Sequence, residues 1–294
     1  MSCKDVRHWV VALCTLMLAL PPLVPAQEAA ETEPSAAQKA FMAKLDELKW
    51  VKGPTTVEAP GDSKLTIPEG YVFLDRGETD KFLELNQNPS NGTEVMVAPE
   101  SLDWSAYINF SDEGYVKDDE TIDAPALLKS LQEGTKAGNA ERRRRGWDEL
   151  EVTGWAVEPA YNPSTKRLEW ATRLRSRSGE GVNFFTKILG RKGHTTVVLV
   201  AAPQELRSAE SDLNRVLTGY NFNQGHAYAD FVPGDKVAQY GLAALVLGGA
   251  AAVASKKGLW AVLGGFIGAA WKFLLAGAIA AIAGLRRLLG KKDA

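Results

Sequence analysis

The densest group of potential ligand atoms in this sequence is a run of six carboxylates between residues 112 and 123. Carboxylate oxygens are the ligands that Ca²⁺ prefers, so the run is a candidate calcium site, although its spacing does not match the EF-hand loop. The alternative is a solvated turn whose last carboxylates stabilise the start of a following helix through the helix dipole. The calcium candidates are Asp112, Asp118, Asp119 and Glu120.

Other residues that could support catalysis or cofactor binding are sparse. The three histidines, His8, His194 and His226, have no HxH or HxxxH spacing, which argues against a zinc site. No GxSxG motif, P-loop or dinucleotide-binding fingerprint occurs. The sequence therefore predicts no catalytic residue, no metal ligand beyond the calcium candidates and no cofactor, although catalytic triads assemble in space and leave little trace in sequence.

Two features are candidates for an interaction surface. A basic run, Arg142, Arg143, Arg144 and Arg145, lies where a helix is predicted to end. The arginines would complement the helix C-terminus and stay solvated, or they would contact anionic lipid head groups. Trp104 begins a predicted strand, and its indole would either join the core or line a binding surface.

The segment that must position these residues reads as one domain over residues 35–235, after a polar linker at 27–34. Helices are predicted near residues 35–48, 80–85, 123–145 and 204–217, the third capped by Asp123. Strand patterns separate them, and the last four, between residues 150 and 201, are joined by short turns typical of an antiparallel meander. The predicted fold class is α+β, an antiparallel sheet packed by helices.

The N-terminal end, residues 1–26, has the pattern of a secretory signal peptide. Lys4 and Arg7 precede an apolar run, and small residues at Val24 and Ala26 allow cleavage after Ala26. Both cysteines, Cys3 and Cys14, lie in this segment. Removal of the segment would leave a protein without disulfides, thiolate catalysis or cysteine-ligated metals.

The C-terminal end is predicted to be a membrane anchor over residues 238–285. It would be a hairpin of two transmembrane helices, 238–254 and 259–285, or a single span over 259–285 with the first stretch in the interface. Positive charges would mark the membrane boundaries, Lys256 and Lys257 on the cytoplasmic side in the hairpin and Arg286 and Arg287 in a basic tail at 286–294.

Lys272 interrupts the second apolar stretch. A charge at the middle of a span costs about 2.5–3.5 kcal/mol on insertion scales. Lys272 would therefore line a pore, or it would extend its ammonium group towards the interface.

Several segments together resemble a bacterial family of uncharacterised membrane-anchored proteins, known only as a domain of unknown function. They include Gly70–Asp75, Gly114–Glu120, Leu168–Ala171, Gly181–Phe184 and Gly234–Leu242. The resemblance covers roughly residues 50 to 290. It implies a Gram-negative envelope protein with a C-terminal anchor, and it implies no catalytic residue.

The sequence thus predicts a bacterial inner-membrane protein with its main domain in the periplasm. The function that it favours is a non-enzymatic module that binds an unknown envelope protein, with the lipid bilayer as a second partner. A net charge of −2 argues against nucleic acid. Two alternatives stay open: an enzyme or lipid-binding module with a site in a groove between sheet and helix, and an oligomeric channel formed by the C-terminal helices.

Overall fold

An antiparallel sheet forms the framework of this protein in a computed structural model, with helices on one face and a further helix and a smaller sheet on the other. The structure describes residues 36–86, 90, 92–144, 146, 148–177 and 179–248. The helices are α1 (Ala36–Asp46), α2 (Arg76–Leu85), α3 (Ala124–Arg144), α4 (Leu206–Leu217) and α5 (Leu242–Val246), with 3-10 turns at Pro203–Glu205 and Tyr228–Asp230.

The strands differ in burial: residues alternate between buried and exposed at 63–67, whereas every residue is buried at 71–74 and 194–201. They are β1 (Val51–Lys52), β2 (Thr55–Ala59), β3 (Ser63–Ile67), β4 (Tyr71–Leu74), β5 (Val95–Pro99), β6 (Ser105–Ser111), β7 (Glu151–Asn162), β8 (Arg167–Ser176), β9 (Gly179–Leu189), β10 (His194–Ala201) and β11 (Tyr220–Phe222).

The main sheet has the order β1-β4-β5-β6-β10-β9-β8-β7, and every neighbouring pair in it is antiparallel. Its second half is the meander that the short turns predict. The strand that joins the halves is β10, in which Val197 pairs with Ile108 of β6 and with Thr186 of β9. The predicted α+β class, with an antiparallel sheet packed by helices, is confirmed.

Each face of the main sheet supports its own hydrophobic core. On the helical face, α1, α2, α3 and α5 cover residues such as Leu74, Met96 and Val198. On the opposite face, α4 and the small sheet β11-β3-β2 cover residues such as Phe73 and Val97. Burial on both faces explains why β4 and β5 are apolar at every position.

Capping side chains fix where two of the helices begin. Asp75 Oδ1 accepts a hydrogen bond from the Glu78 amide at 2.9 Å, and Asp123 Oδ1 accepts one from the Ala126 amide at 3.0 Å. Each carboxylate thereby satisfies an amide that the first turn of a helix leaves without a partner. The predicted cap at Asp123 is confirmed, and α2 begins at Arg76, one turn earlier than the helix predicted near residues 80–85.

The prediction that one or two C-terminal transmembrane helices complete the fold is wrong for the part of that segment that the structure describes. Residues 238–248 belong to the domain: α5 has only five residues, and Leu242, Leu245 and Val246 are buried in the core of the helical face. In the described residues, no helix combines the length and the apolar composition that crossing a bilayer requires. The remainder, 249–254 and 259–285, lies outside the described residues.

The physical reason for this error is that an apolar run records avoidance of water and not the identity of the apolar surroundings. The described part of the run that begins at Ala238 packs in a protein core. The domain, predicted to end at residue 235, therefore continues to the end of the described chain.

Candidate functional site

The acidic run holds the C-terminal segment in place through backbone hydrogen bonds. The Tyr115 amide donates to the carbonyl of Lys236 at 2.8 Å, and the Ala238 amide donates to the carbonyl of Tyr115 at 2.9 Å. The Gly114 amide donates to the carbonyl of Lys192 at 2.8 Å, in the turn between β9 and β10. We call residues 112–120, 190–193 and 225–248 together the C-terminal clasp.

Gly114 is required where these segments cross. Its φ of +99° lies in a region that side chains disfavour, and a Cβ there would lie 2.8 Å from the carbonyl oxygen of Lys236. Any other residue would push the acidic run away from the C-terminal segment.

Asp118 is the most extensively bonded carboxylate of the acidic run. Its Oδ2 accepts hydrogen bonds from the Tyr161 hydroxyl at 2.7 Å and from Lys166 Nζ at 2.9 Å. Partial burial acts to raise the pKa of Asp118, but donors from Tyr161, Lys166 and Tyr228 outweigh it and lower the pKa. The carboxylate is therefore ionised at neutral pH and ties β7 and the turn between β7 and β8 to the clasp.

The other calcium candidates are dispersed. Glu120 Oε2 accepts from the Ala243 amide at 2.9 Å at the start of α5, and the Asp112 carbonyl accepts from Lys236 Nζ at 3.1 Å. Asp119 is exposed. No group of three or more histidine, cysteine or acidic residues suited to a metal ion occurs within the described part of the chain. In the structure, Asp112 and Asp118 hold other segments of the chain, and Glu120 bonds to the N-terminus of α5.

A two-bond ion pair fixes the tip of the clasp. Arg191 donates to Asp235 from Nε at 2.7 Å and from Nη2 at 2.9 Å. Those bonds lower the pKa of Asp235 to about 2. The Val232 amide also donates to Asp235, at 2.9 Å, and Val232 and Val237 are 46% and 39% exposed. The pair therefore holds a turn that presents two valines to solvent.

Aromatic rings fill the space beneath this turn. The Tyr115 ring is stacked on Tyr228 with centroids 4.4 Å apart, and the Phe231 centroid lies 4.2 Å away on a tilted ring. Lys166 Nζ lies 4.7 Å from the centre of the Tyr228 ring, a cation–π contact. The clasp is therefore packed as well as hydrogen-bonded.

The basic run is divided between interior and surface. Arg142 is 3% exposed, and its Nε donates to the carbonyl of Asp148. Arg143 Nη1 lies 2.8 Å from Glu149 Oε1, and Arg144 is exposed. Arg145 lies outside the described residues. The structure does not bring these arginines together as one charged surface.

Trp104, the other interaction candidate, is 3% exposed and lies in the core of the small-sheet face. Its ring centroid is 6.0 Å from that of Tyr71. In this fold the indole contributes packing, because almost none of it reaches solvent. The membrane candidates Lys256, Lys257, Lys272, Arg286 and Arg287 lie outside the described residues, as does the channel that Lys272 would line.

A buried polar row crosses the helical face of the main sheet, and sequence reasoning missed it. Thr196 of β10 pairs with Asn109 of β6 and with Lys187 of β9. Lys187 Nζ donates to Thr196 Oγ1 at 2.8 Å and lies 3.3 Å from Nε2 of His194, which is 2% exposed. Burial and the Lys187 ammonium hold the pKa of His194 well below its usual value, so the imidazole is neutral.

The signal for this row was present in the sequence as polar residues at inward positions of two apolar strands. Lys187 follows Phe185 by two residues, and Thr196 precedes Val198 by two, so each shares a face with its apolar neighbour. Only the pairing of β9 with β10 brings the two polar side chains together.

Two grooves flank α2. The α1–α2 groove, about 730 Å³, has Phe41, Leu48 and Leu85 as its apolar floor. Two lysines and two glutamates stand around it: Lys44, Glu47, Lys81 and Glu84.

The β2 groove, about 680 Å³, lies between β2 and the start of α2. Its apolar lining consists of Val57, Ala59, Phe73 and Val95. Both cavities have the size of ligand-binding clefts.

The titratable groups beside α2 are held in their charged forms. Lys81 Nζ donates to Glu78 Oε1 at 2.8 Å, which raises the pKa of Lys81. Bonds from Lys81 and from the Lys49 amide lower the pKa of Glu78. General acids and bases need pKa values near neutrality, and these shifts lead away from it. The arrangement can therefore bind a charged, partly apolar partner, but it does not favour proton transfer.

A family model described as a protein of unknown function (DUF2167) matches residues 51–282, most of the chain. The chain belongs to this family. Membership in DUF2167 confirms the predicted resemblance to an uncharacterised family and assigns no activity. The signal peptide and the anchor that the resemblance implies are not part of what the match shows.

No curated protein matches the chain. Among solved structures, it is similar to the solution structure of cyanobacterial PsbP (CyanoP) from Synechocystis sp. PCC 6803. The identity is 12%, over 59% of this chain and 95% of that one, with a TM-score of 0.35. A likeness this distant carries no argument about function.

Proposed function

We propose that this DUF2167 protein is an exported, non-enzymatic interaction module that binds a helical segment of a partner protein in the α1–α2 groove. The observation that carries the proposal is the composition of that groove, an apolar floor between charged rims. Amphipathic helices bind other proteins by placing their apolar face in a groove of this kind.

The dimensions and charges of the groove support a helix as the ligand. At about 1.5 Å per residue, the 11 residues of α1 extend about 16 Å, the length of three helical turns. On the α1 side, Lys44 and Glu47 are three residues apart, and on α2 so are Lys81 and Glu84. Each rim thus offers one cation and one anion, which suits a helix whose polar flanks carry both signs.

The alternative of an enzyme with a site between sheet and helix has less support. It requires convergent polar groups with pKa values moved towards neutrality. The ion-paired carboxylates Asp118, Asp235 and Glu78 are shifted away from it. Glu210, whose pKa burial raises, lies on α4, away from either groove.

The cellular location is also part of the proposal. The N-terminal pattern over residues 1–26 supports export, and we propose that the domain acts in the periplasm, where it meets an envelope protein. Protease added to spheroplasts tests this directly. Cleavage within residues 40–230 while a cytoplasmic marker stays intact is the expected result, and full protection of that region would contradict export.

Site-specific photocrosslinking in intact cells tests the groove. A photoreactive residue at Lys44 in the groove is expected to capture a discrete protein. The same residue at Lys129, exposed on α3, is the matched control and is expected to capture none. A Leu85→Glu substitution, which places a charge in the apolar floor, is expected to reduce the captured amount at least tenfold, about 1.4 kcal/mol.

Equal capture from both positions would contradict the proposal. So would the absence of any captured protein together with a small molecule that co-purifies with the protein, a result that favours the enzyme or lipid-binding alternative. Circular dichroism of the Leu85→Glu variant separates a lost contact from a lost fold.

A further inference from the structure

The pair formed by Lys187 and His194 lies at the base of the C-terminal clasp. His194 is the first residue of β10, and the turn of residues 190–193 directly before it belongs to the clasp. His194 pairs with Leu189 of β9 on one side and with Ser111 of β6 on the other. The acidic run begins immediately after Ser111, so a change at His194 reaches two of the three segments that form the clasp.

The turn beside this pair contributes several of the bonds that close the clasp. The Gly190 amide donates to the Gly193 carbonyl at 2.8 Å, and the Arg191 amide donates to the His226 carbonyl at 2.9 Å. The Lys192 carbonyl accepts a bond from the acidic run at 2.8 Å. Gly193 lies so close to the end of β6 that a Cβ would have no room there. The turn therefore cannot move without breaking bonds of the clasp.

The contact between Lys187 and His194 fixes which ring nitrogen carries the proton. Lys187 Nζ lies 3.3 Å from Nε2 of His194 and donates to Thr196 Oγ1 at 2.8 Å. An ammonium group has only donors, so Nε2 of the neutral imidazole is the acceptor and Nδ1 carries the hydrogen.

A second proton on His194 would have to bind at Nε2, where it faces the Lys187 ammonium. The contact would then join two donors and two positive charges, between side chains of residues that are 9% and 2% exposed. Burial of like charges at this distance is costly, so the protonated form favours a state in which the imidazole reaches water. Strand pairing on both sides of β10 holds the Cβ of His194 on the helical face. The imidazole therefore reaches water when the end of the β9–β10 hairpin opens.

The other charged groups around His194 are exposed, distant or bonded elsewhere. Asp112 after β6 and Lys192 in the turn are exposed. Glu94 of β5 bonds to Asn109 at 3.4 Å, and three strand spacings of about 4.8 Å separate the backbone of β5 from that of β9. The titratable side chains of the clasp have partners of their own: Arg191 with Asp235, Asp118 with Lys166, Glu120 with the Ala243 amide, Tyr228 with the Val116 carbonyl and His226 with Asp62.

We propose that the Lys187–His194 pair is an acid-sensitive switch for the C-terminal clasp: protonation of His194 at Nε2 breaks the pair, opens the end of the β9–β10 hairpin and releases the clasp. Release exposes the apolar side chains of α5, namely Leu242, Leu245 and Val246, which are buried while the clasp is closed. This inference does not depend on the α1–α2 groove.

Hydrogen–deuterium exchange of the full-length chain, measured by mass spectrometry, tests the switch. Peptides that cover residues 113–118 and 235–243 report on the clasp, and peptides of β5 and β6 report on global unfolding. After correction for the chemical exchange rate, exchange in the clasp should rise about thirtyfold from pH 7.5 to 5.0, because opening binds one proton with the ordinary histidine pKa of about 6.5. The β5 and β6 peptides should exchange at least about tenfold more slowly, and about 1 M urea should accelerate them much more than the clasp peptides.

Three variants assign the effect. In His194→Gln the amide carbonyl still accepts a bond from Lys187 but does not titrate, so the rise should be less than about twofold. Lys187→Met removes the opposing ammonium, and the rise should be less than about tenfold. His226→Gln is the matched control: Nδ1 of His226 lies 3.1 Å from Asp62 Oδ2, and protonation would strengthen that pair, so the full rise should remain.

A rise that persists in His194→Gln, or that disappears in His226→Gln, would overturn the inference. Equal exchange and equal urea dependence in the clasp and sheet peptides would overturn it too, because the proton would then promote global unfolding. Circular dichroism at pH 7.5 shows whether each variant is folded. If His194→Gln is not folded, Lys187→Met decides, and an undiminished rise in that variant contradicts the switch.

Discussion

The C-terminal clasp and the two grooves beside α2 use charged side chains in opposite ways. In the clasp, Asp118 accepts hydrogen bonds from Tyr161 and Lys166, and Asp235 accepts two from Arg191, all distant in sequence. Beside the grooves, Lys44 and Arg76 are exposed and have no ion pair among the described residues. Charges of the first kind hold the fold together, and charges of the second kind remain available to another molecule.

The density of charge in a sequence therefore does not locate a binding site. The densest acidic run stabilises the fold, because its backbone and the Glu120 carboxylate bond to the C-terminal segment. The proposed binding groups are isolated residues that no motif marks. The predictions for Leu245, Asp118 and Arg76 test whether the clasp is structural and the grooves are not.

The largest expected effect is at Leu245, which belongs to the clasp and is 1% exposed in the core of the helical face. Leu245→Ala removes buried apolar contacts and should lower the free energy of unfolding by about 3 kcal/mol. Gln239→Ala, an exposed neighbour, should change it by less than about 0.5 kcal/mol. Urea unfolding of the full chain measures both, and equal effects would remove α5 from the domain.

Asp118→Asn should have the next largest effect. The amide cannot attract the Lys166 ammonium as a carboxylate does, and the expected loss is about 2 kcal/mol, because hydrogen bonds to charged groups contribute about 1.5–3 kcal/mol. The pKa of Asp118 is lowered in the fold. Its contribution is therefore present above the ordinary carboxyl pKa, and the difference between wild type and variant should shrink as the pH falls below about 4.

The neighbouring exposed carboxylate provides the control for this comparison. Asp119→Asn changes the same charge one residue away and should leave the urea midpoint unchanged at every pH. A similar loss in both variants would mean that the net charge of the run, and not the bonds of Asp118, stabilises the clasp.

The buried histidine should make stability depend on pH near neutrality. His194 is neutral in the fold, whereas the unfolded chain binds a proton below about pH 6.5. The unfolded state then holds more protons, so stability is full above that pH and falls by up to about 1.4 kcal/mol per unit below it. His194→Gln should abolish this slope between pH 7 and 5 in urea titrations, and an unchanged slope would assign it to other groups.

The smallest effect is expected at the grooves. Arg76→Gln removes a charge without an internal partner and should change the free energy of unfolding by less than about 0.5 kcal/mol. The free energy of unfolding should fall much more for Asp118→Asn, and both variants are measured in the same urea series. A loss above 1 kcal/mol would show that Arg76 is structural.

Much of the local structure was predictable because it depends on near neighbours in sequence. The four strands between residues 150 and 201 were predicted close to their observed bounds, and so was the long helix after Asp123. The position of β10 beside β6 was not predictable. Pairing between strands whose partners are more than 80 residues apart depends on which faces complement each other, and periodicity carries no such information.

For the candidate site, the sequence supplied residue types without partners. The acidic run was visible, but its target at Lys236 and Ala243 was not, because hydrogen bonds across more than 100 residues leave no local pattern. The grooves were invisible for the same reason: α1, α2 and β2 form them only after two sheets have packed.

What the sequence determined by itself is where the chain avoids water and with which period, and hence the helices, the strands and the α+β class. Only the tertiary structure decided what the apolar residues contact. The start of the apolar run at residue 238 illustrates the difference, because Leu242, Leu245 and Val246 enter a protein core although their composition suits lipid equally well. The physical reason is that the hydrophobic effect has no direction: it drives a side chain out of water and leaves its destination to shape and connectivity.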